Sequence, residues 1–244
     1  ALLNLFEVLD TPLHERDPYL EPELAAFPYV NGGLFTLQDK SIPQFTDELR
    51  DLLVGKASDE FDWSEISPTI FGAIFESTLN PETRRSGGMH YTSIENIHKV
   101  IDPLFLNDLR AELDTILAIS QEKRRNQQLR DYQQRLASLR FLDPACGSGN
   151  FLTETFLSLR RLENECLKAL LNDQSALDFF DDRIFVNIHQ FYGIEINDFA
   201  ATVAKTALWI AESQMVAETA KILARDIDFL PLKSYDNIIE GNAL

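Results

Sequence analysis

The sequence predicts an α/β fold: a partial doubly wound (Rossmann-like) sheet preceded by a helical region. Three observations carry that expectation. The run Phe141-Leu142-Asp143-Pro144-Ala145-Cys146-Gly147-Ser148-Gly149-Asn150 passes from apolar residues through an acid into a glycine loop. That order is the mark of a strand, a tight turn and a helix start. A second apolar run, Ile188 to Asn197, contains Gly193-Ile194-Glu195 and again ends on an acid. A third, Tyr235-Asp236-Asn237-Ile238-Ile239, leads into Glu240-Gly241-Asn242.

Length and composition set the outer bounds. The 244 residues suit one large domain, or a domain and a half, and 45% hydrophobic content is enough for a sizeable core. No apolar run is long enough to span a bilayer, and no signal peptide opens the chain. Ala1 begins inside an apolar pattern, which reads as a piece of a longer polypeptide. Cys146 and Cys166 make no disulfide framework, and the expected setting is a reducing cytoplasm. The four histidines and two cysteines show no zinc spacing, so no metal ligands are assigned. A net charge of −17 argues against the chain alone clamping nucleic acid, because phosphate binding needs clustered Lys and Arg.

Residues 1–80 read as helices and loops, a helical connector. Phe27 to Phe35 is aromatic and glycine-rich with a turn at Asn31-Gly32, expected as a buried turn or short hairpin. Ser67-Pro68 starts a helix, since serine caps and proline suits the first helical position. Its expected core stripe is Ile70, Phe71, Ile74 and Phe75, and Asn80-Pro81 ends it. Residues 81–140 form a second helical region. There Gly87-Gly88-Met89-His90-Tyr91-Thr92 is followed by Glu95, so Thr92 and Glu95 read as a capping box. The free amides of such a helix start favour an anionic group. Ile97, Val100, Ile101, Leu104 and Phe105 form the next apolar face, followed by Leu113, Ile116 and Leu117, with a kink expected at Asp102-Pro103. Lys123 to Arg140 is the one basic segment of an acidic chain, read either as a solvated helix face or as a contact for DNA phosphates.

From residue 141 the strand-and-helix alternation sets in. The first strand is expected over 141–145, then a long amphipathic helix from about Asn150 to Leu171 with Phe151, Leu152, Phe156, Leu159 and Leu162 as core. After the second strand a helix from about Phe199 to Met215 offers Ala201, Ala204, Ala207 and Leu208 for close packing on the sheet. Cys166 and Trp209 read as packed core. Gly147 and Gly149 suit a loop that needs positive φ and close backbone approach. The third glycine of the dinucleotide fingerprint is absent, which argues against a dinucleotide oxidoreductase.

The block Asp143-Pro144-Ala145-Cys146-Gly147-Ser148-Gly149-Asn150 closely resembles motif I of DNA adenine-N6 methyltransferases, above all the methylase regions of type IIG and type I restriction-modification enzymes. Gly87 to Thr92 resembles motif X, Gly193-Ile194-Glu195-Ile196 motif II, and Glu240-Gly241-Asn242 motif III, in the gamma-type order. The resemblance implies an S-adenosylmethionine pocket in the methyltransferase sheet, with residues 141–244 as its first half. It also implies the roles. Tyr91 and Thr92 hold the methionine carboxylate; Asp143, Pro144, Ala145, Gly147 and Gly149 form the donor loop. Glu195 takes the ribose hydroxyls and Ile196 packs on the adenine. Asn242 stands where many relatives have an Asp for the adenine amine.

The family's catalytic tetrapeptide, (N/D/S)-P-P-(Y/F/W), does not occur in residues 1–244. No catalytic residue is therefore assigned. The expectation is donor binding without turnover, with DNA held through parts of a parent outside these residues. The first strand is expected at an exposed sheet edge, with self-association through it. The alternatives are a non-catalytic S-adenosylmethionine-binding module and a protein or small-molecule methyltransferase.

Overall fold

The computed structural model describes residues 2–30, 45–60, 66–78, 92–173, 184–224, 227 and 235–244. The chain divides into two compact units, Ala1–Ser67 with Phe229–Ser234, and Pro68–Asp228 with Tyr235–Leu244.

In the first unit, α1 (Leu2–Asp10) and α2 (Pro22–Ala25) flank a 3-10 turn at Leu13–Glu15, and α3 (Asp47–Asp51) runs on into a π-helical segment, Leu52–Asp59. Arg16 ties the unit together. Its guanidinium donates to the Val8, Thr11 and Phe27 carbonyls at 2.8, 3.0 and 2.8 Å, serving groups that a short helix leaves unpaired. Phe27 is exposed and does not form part of a buried turn. Residues 31–35 of the same expected hairpin lie outside the described residues.

The second unit holds α4 (Pro68–Thr78), α5 (Ile94–Ile101), α6 (Asn107–Leu117), α7 (Glu122–Ser138), β1 (Phe141–Asp143), α8 (Asn150–Asp173), β2 (Phe191–Glu195), α9 (Asp198–Leu223) and β3 (Ile238–Glu240). The strands are parallel in the order β1-β2-β3, with Phe141 opposite Phe191 and Glu195 opposite Glu240. Each strand is shorter than the sequence suggests. Pro144 has no N–H for the ladder and ends β1, and Ile188–Gln190 is a 3-10 turn closed by an Asn187–Gln190 capping box. Gln190 then donates to the Leu136 and Leu139 carbonyls, capping the end of α7. The third strand starts at Ile238 because Tyr235 is spent on packing: it is buried and its hydroxyl donates to the Phe191 carbonyl at 2.6 Å. The helix after β2 outlasts its expected end, running to Leu223 and closing on Ala224 in the left-handed region.

Long helix α8 is the hub. It packs on α4, α5, α6, α7, α9 and the sheet, and residues 152–160 are buried without interruption. Its sequence reads as amphipathic, but the polar side is also inside, where its buried charges find partners. Arg160 pairs with Glu163 and donates to Thr219, while Glu163 accepts from the Phe185 and Val186 amides. Beneath the sheet Phe141 stacks on Phe191, which meets the edge of Phe156.

Two apolar stripes do not behave as expected. Among the described side chains of α4 the buried residues are Pro68, Thr69 and Gly72, while Ile70 and Ile74 are 47% and 48% exposed; the side chain of Phe75 lies outside those described. Small residues win this interface because the helix lies against the glycine loop: a Cβ on Gly72 would meet Ser148 Oγ at 2.8 Å. In α5, Ile97 and Ile101 are buried but Val100 and the following Leu104 are exposed. Pro103 cannot donate, and Asp102–Leu106 rewinds into a π-helical segment that shifts the face. No described helix is long and apolar enough to cross a membrane.

Candidate functional site

At the carboxyl ends of the strands a cavity of about 730 Å³ opens between the β1–α8 loop, the end of β2 and the residues after β3. Open parallel sheets bind ligands there, because the loops leaving the strands diverge from one another. Of the residues singled out from sequence, Thr92, Asp143, Pro144, Ala145, Gly147, Glu195, Ile196 and Asn242 line it together. Gly149 lies behind the lining, and Tyr91 lies outside the described residues.

The loop is built on two left-handed glycines, Gly147 at φ +55° and Gly149 at φ +78°. A Cβ on Gly147 would meet nothing within 4 Å; one on Gly149 would strike Ala204 Cβ at 2.8 Å. Thus Gly147 faces open space and Gly149 lets α8 and α9 close on each other. The Gly149 amide returns to the Cys146 carbonyl at 2.8 Å and the Cys146 amide to the Ile194 carbonyl at 3.1 Å, fastening the turn to β2. Burial pushes the Cys146 thiol up to about 12, so it is packing and not a nucleophile.

Glu195 is 6% exposed and does more locally than its position at a strand end suggests. One carboxylate oxygen accepts from the Gly147 amide at 2.8 Å and the other from Asn197 at 3.0 Å. It therefore shapes the glycine loop, and each oxygen keeps a second lone pair for a ligand hydroxyl. Asp143 holds the Ala145 amide at 3.0 Å. Burial raises its carboxyl above the usual range, the Ala145 N–H pulls it back, and the Glu195 charge raises it again. Among the described residues that line the cavity none is Lys, Arg or His. Two acids with no counter-charge favour a cation and repel phosphate.

At the opposite wall the cap of α5 is Ser93, not Thr92: the Ser93 hydroxyl accepts from the Asn96 amide, and Glu95 pairs with Lys99. Serine takes the extended cap geometry, so Thr92 stands one residue outside the helix and lines the cavity. Ile196 is exposed within the lining, an open apolar shelf. The Asn242 side-chain carbonyl accepts from the Leu244 amide at 3.0 Å and keeps a second lone pair. Sequence reasoning passed over Asn150, a buried cavity residue whose Oδ1 has no partner among the described residues. A polar first residue of the helix after a glycine loop is the signal that pointed to it.

Of the six cations in the basic segment, three are engaged by the protein itself. Arg135 pairs with Glu112, Arg125 donates to the Ile119 carbonyl, and Arg140 caps the Ala137 and Leu139 carbonyls. Lys123 and Arg124 project from the first turn of α7 beside Glu122.

A family model described as "MmeI, DNA-methyltransferase domain" matches residues 119–244. DNA methyltransferase A of Bacillus subtilis (strain 168) is 40% identical over 243 residues, which are 99% of this chain and 26% of that protein. The solved structure of the type IIL restriction-modification enzyme MmeI in complex with DNA superposes with a TM-score of 0.84 at 40% identity, over 99% of this chain and 31% of the solved one. The chain thus spans about a quarter to a third of the relatives it matches.

Proposed function

Because the chain belongs to the family of MmeI DNA-methyltransferase domains, we propose that it forms the S-adenosylmethionine-binding part of a DNA adenine-N6 methyltransferase of a restriction-modification system. The observation that carries the reading is the electrostatics of the cavity: Asp143 and Glu195 face it with no basic side chain beside them among the described residues. A ligand that is a nucleoside at one end and carries a sulfonium and an ammonium suits such a pocket. A pyrophosphate does not.

In this reading Glu195 takes the ribose hydroxyls on its second lone pairs, and Ile196 supports the base. Asp143 and the backbone of Pro144, Ala145, Gly147 and Gly149 line the path of the amino-acid moiety. Tyr91 and Thr92 receive its carboxylate. The Asn242 side-chain carbonyl accepts from the adenine amine on its second lone pair. When bound, the donor supplies an electrophilic methyl group, which an adenine amine takes as the sulfur–carbon bond breaks. The residues here hold and orient that donor and exclude water from it. No residue of the 244 is assigned to the transfer step, since the (N/D/S)-P-P-(Y/F/W) tetrapeptide is absent from them. DNA contact belongs chiefly to a longer parent, with Lys123, Arg124 and Arg130 as the part of the basic segment left to face a phosphate.

Isothermal calorimetry with S-adenosylmethionine tests the pocket. Glu195→Ala is expected to abolish measurable binding, because it removes the ribose acceptor and releases Gly147. Asp143→Ala is expected to weaken it by roughly tenfold or more, the cost of about one charged hydrogen bond. Wild-type affinity in both variants would remove the assignment.

A further inference from the structure

His98 lies on the face of α5 that also carries the buried Ile97 and Ile101, and it meets a carboxylate at each ring nitrogen. Nδ1 is 2.7 Å from Asp102 Oδ1, and Nε2 is 3.2 Å from Glu154 Oε1. A neutral imidazole has one N–H and one lone pair, so it can donate to only one of the two. With ionised carboxylates on both sides, only the doubly protonated ring satisfies the arrangement. Glu154 is 3% exposed on its side chain, and its remaining charged partner is Arg161, at 3.1 Å.

The place of this contact in the fold gives it a role. Glu154 belongs to the opening turns of α8, which starts directly after Gly149, so it moves with the glycine loop. His98 belongs to the short helix that begins just after Thr92. One ring therefore joins the two elements that carry facing walls of the cavity. We propose that His98 is a positioning residue: as an imidazolium held between Asp102 and Glu154, it clamps α5 to α8 and so sets Thr92 against the glycine loop. This rests on the donor-binding reading of the cavity.

The charged groups that face His98 are Asp102 from the end of its own helix and Glu154 and Arg161 from α8; Glu95 and Lys99 pair with each other on the outer side of α5. The hydrogen bond that His98 donates to Asp102 is the main reason that His98 is raised above 6.5; burial opposes it and Glu154 adds to it. A raised histidine contributes fully below 6.5 and loses its contribution as pH rises through the folded value. Above that value the ring gives up one carboxylate, and the buried Glu154 is left to Arg161.

The test combines an NMR titration of the protein with calorimetry. His98 ring resonances are expected to titrate above 6.5, and the Thr92 amide to shift with the same midpoint. Affinity for S-adenosylmethionine is expected to fall by roughly fivefold or more across that midpoint, the lower end of measured couplings between sites. In His98→Gln the affinity should be low and flat with pH. In Glu154→Gln the amide can accept from or donate to a neutral ring, so the pH dependence should flatten while the fold persists. A His98 that titrates at or below the ordinary value overturns the clamp. So does a Thr92 amide that ignores its titration, or a pH dependence that survives in His98→Gln. If the wild-type protein binds no S-adenosylmethionine at any pH, the donor-binding reading fails, while the coupled titration of His98 and Thr92 still judges the clamp.

Discussion

A methyl group added at Gly149 would sit 2.8 Å from Ala204 Cβ and 3.1 Å from its Cα, on a backbone already at φ +78°. At Gly147 the same methyl meets nothing, and only the left-handed backbone at φ +55° resists it. Gly147→Ala should therefore cost about 1 kcal/mol, from the backbone strain alone. Gly149→Ala should cost roughly 2–5 kcal/mol, since overpacking against an immobile helix adds to that strain. Urea denaturation of both variants measures the difference, and equal costs would mean that α8 and α9 part easily at this point. The sequence shows two equivalent glycines in G-S-G; only the neighbour contributed by α9 makes them unequal. Glu195 is a parallel case. Its type and its place at a strand end are legible in the chain, but its grip on Gly147 is a long-range contact that no local pattern reports. Tyr91, which the resemblance to motif X singles out, lies outside the described residues.

At the scale of elements, α8 shows where periodicity misleads. A helix whose sequence alternates apolar and polar faces is expected at a surface, yet this one is surrounded, and its buried charged residues are paired. Arg160 and Glu163 are both buried and paired, and Glu163 also holds the amides of Phe185 and Val186 ahead of β2. Burial pushes the Glu163 carboxyl up while Arg160 and the two amides pull it back. Removing one partner leaves an uncompensated charge, so Arg160→Met or Glu163→Gln alone should destabilise by about 3–5 kcal/mol. The double variant should cost much less than the sum. A double-mutant cycle by denaturation checks this, and additive costs would show that the two side chains act independently. The same competition between local pattern and tertiary neighbour explains α4 and α5. Ile70, Ile74, Val100 and Leu104 carry a legible apolar period, but Gly72 must approach the loop and Pro103 turns the helix, so other residues take the interior.

For the molecule as a whole, charge and sheet architecture make separate demands. With a net charge of −17 and half of its basic segment engaged internally, the protein should hold duplex DNA more weakly than the roughly micromolar end of non-specific binding at physiological salt. Fluorescence anisotropy with a labelled duplex measures it; tight, salt-sensitive binding would mean that Lys123 and Arg124 act with partners elsewhere on the surface. The face of the sheet away from α8 and α9 carries Leu142, 64% exposed, together with the exposed Tyr192 and Ile239, and among the described residues β1 pairs only with β2. An apolar face beside an open strand edge promotes self-association. Sedimentation velocity should show a concentration-dependent species that Leu142→Lys suppresses without loss of helical signal.

What the sequence determined by itself was the local chemistry: a strand ending in an acid, a glycine loop, a following helix, and the order in which such blocks recur. Those depend on backbone conformation and on neighbours a few residues away, and the residue types that permit them are few. Tertiary structure alone decided which helix faces are buried, which cations remain for a ligand, and that Ser93 caps while Thr92 is left to the cavity. Burial and pairing are set by partners from distant parts of the chain, as His98 and Glu154 show across 56 positions, and a one-dimensional pattern holds no record of them.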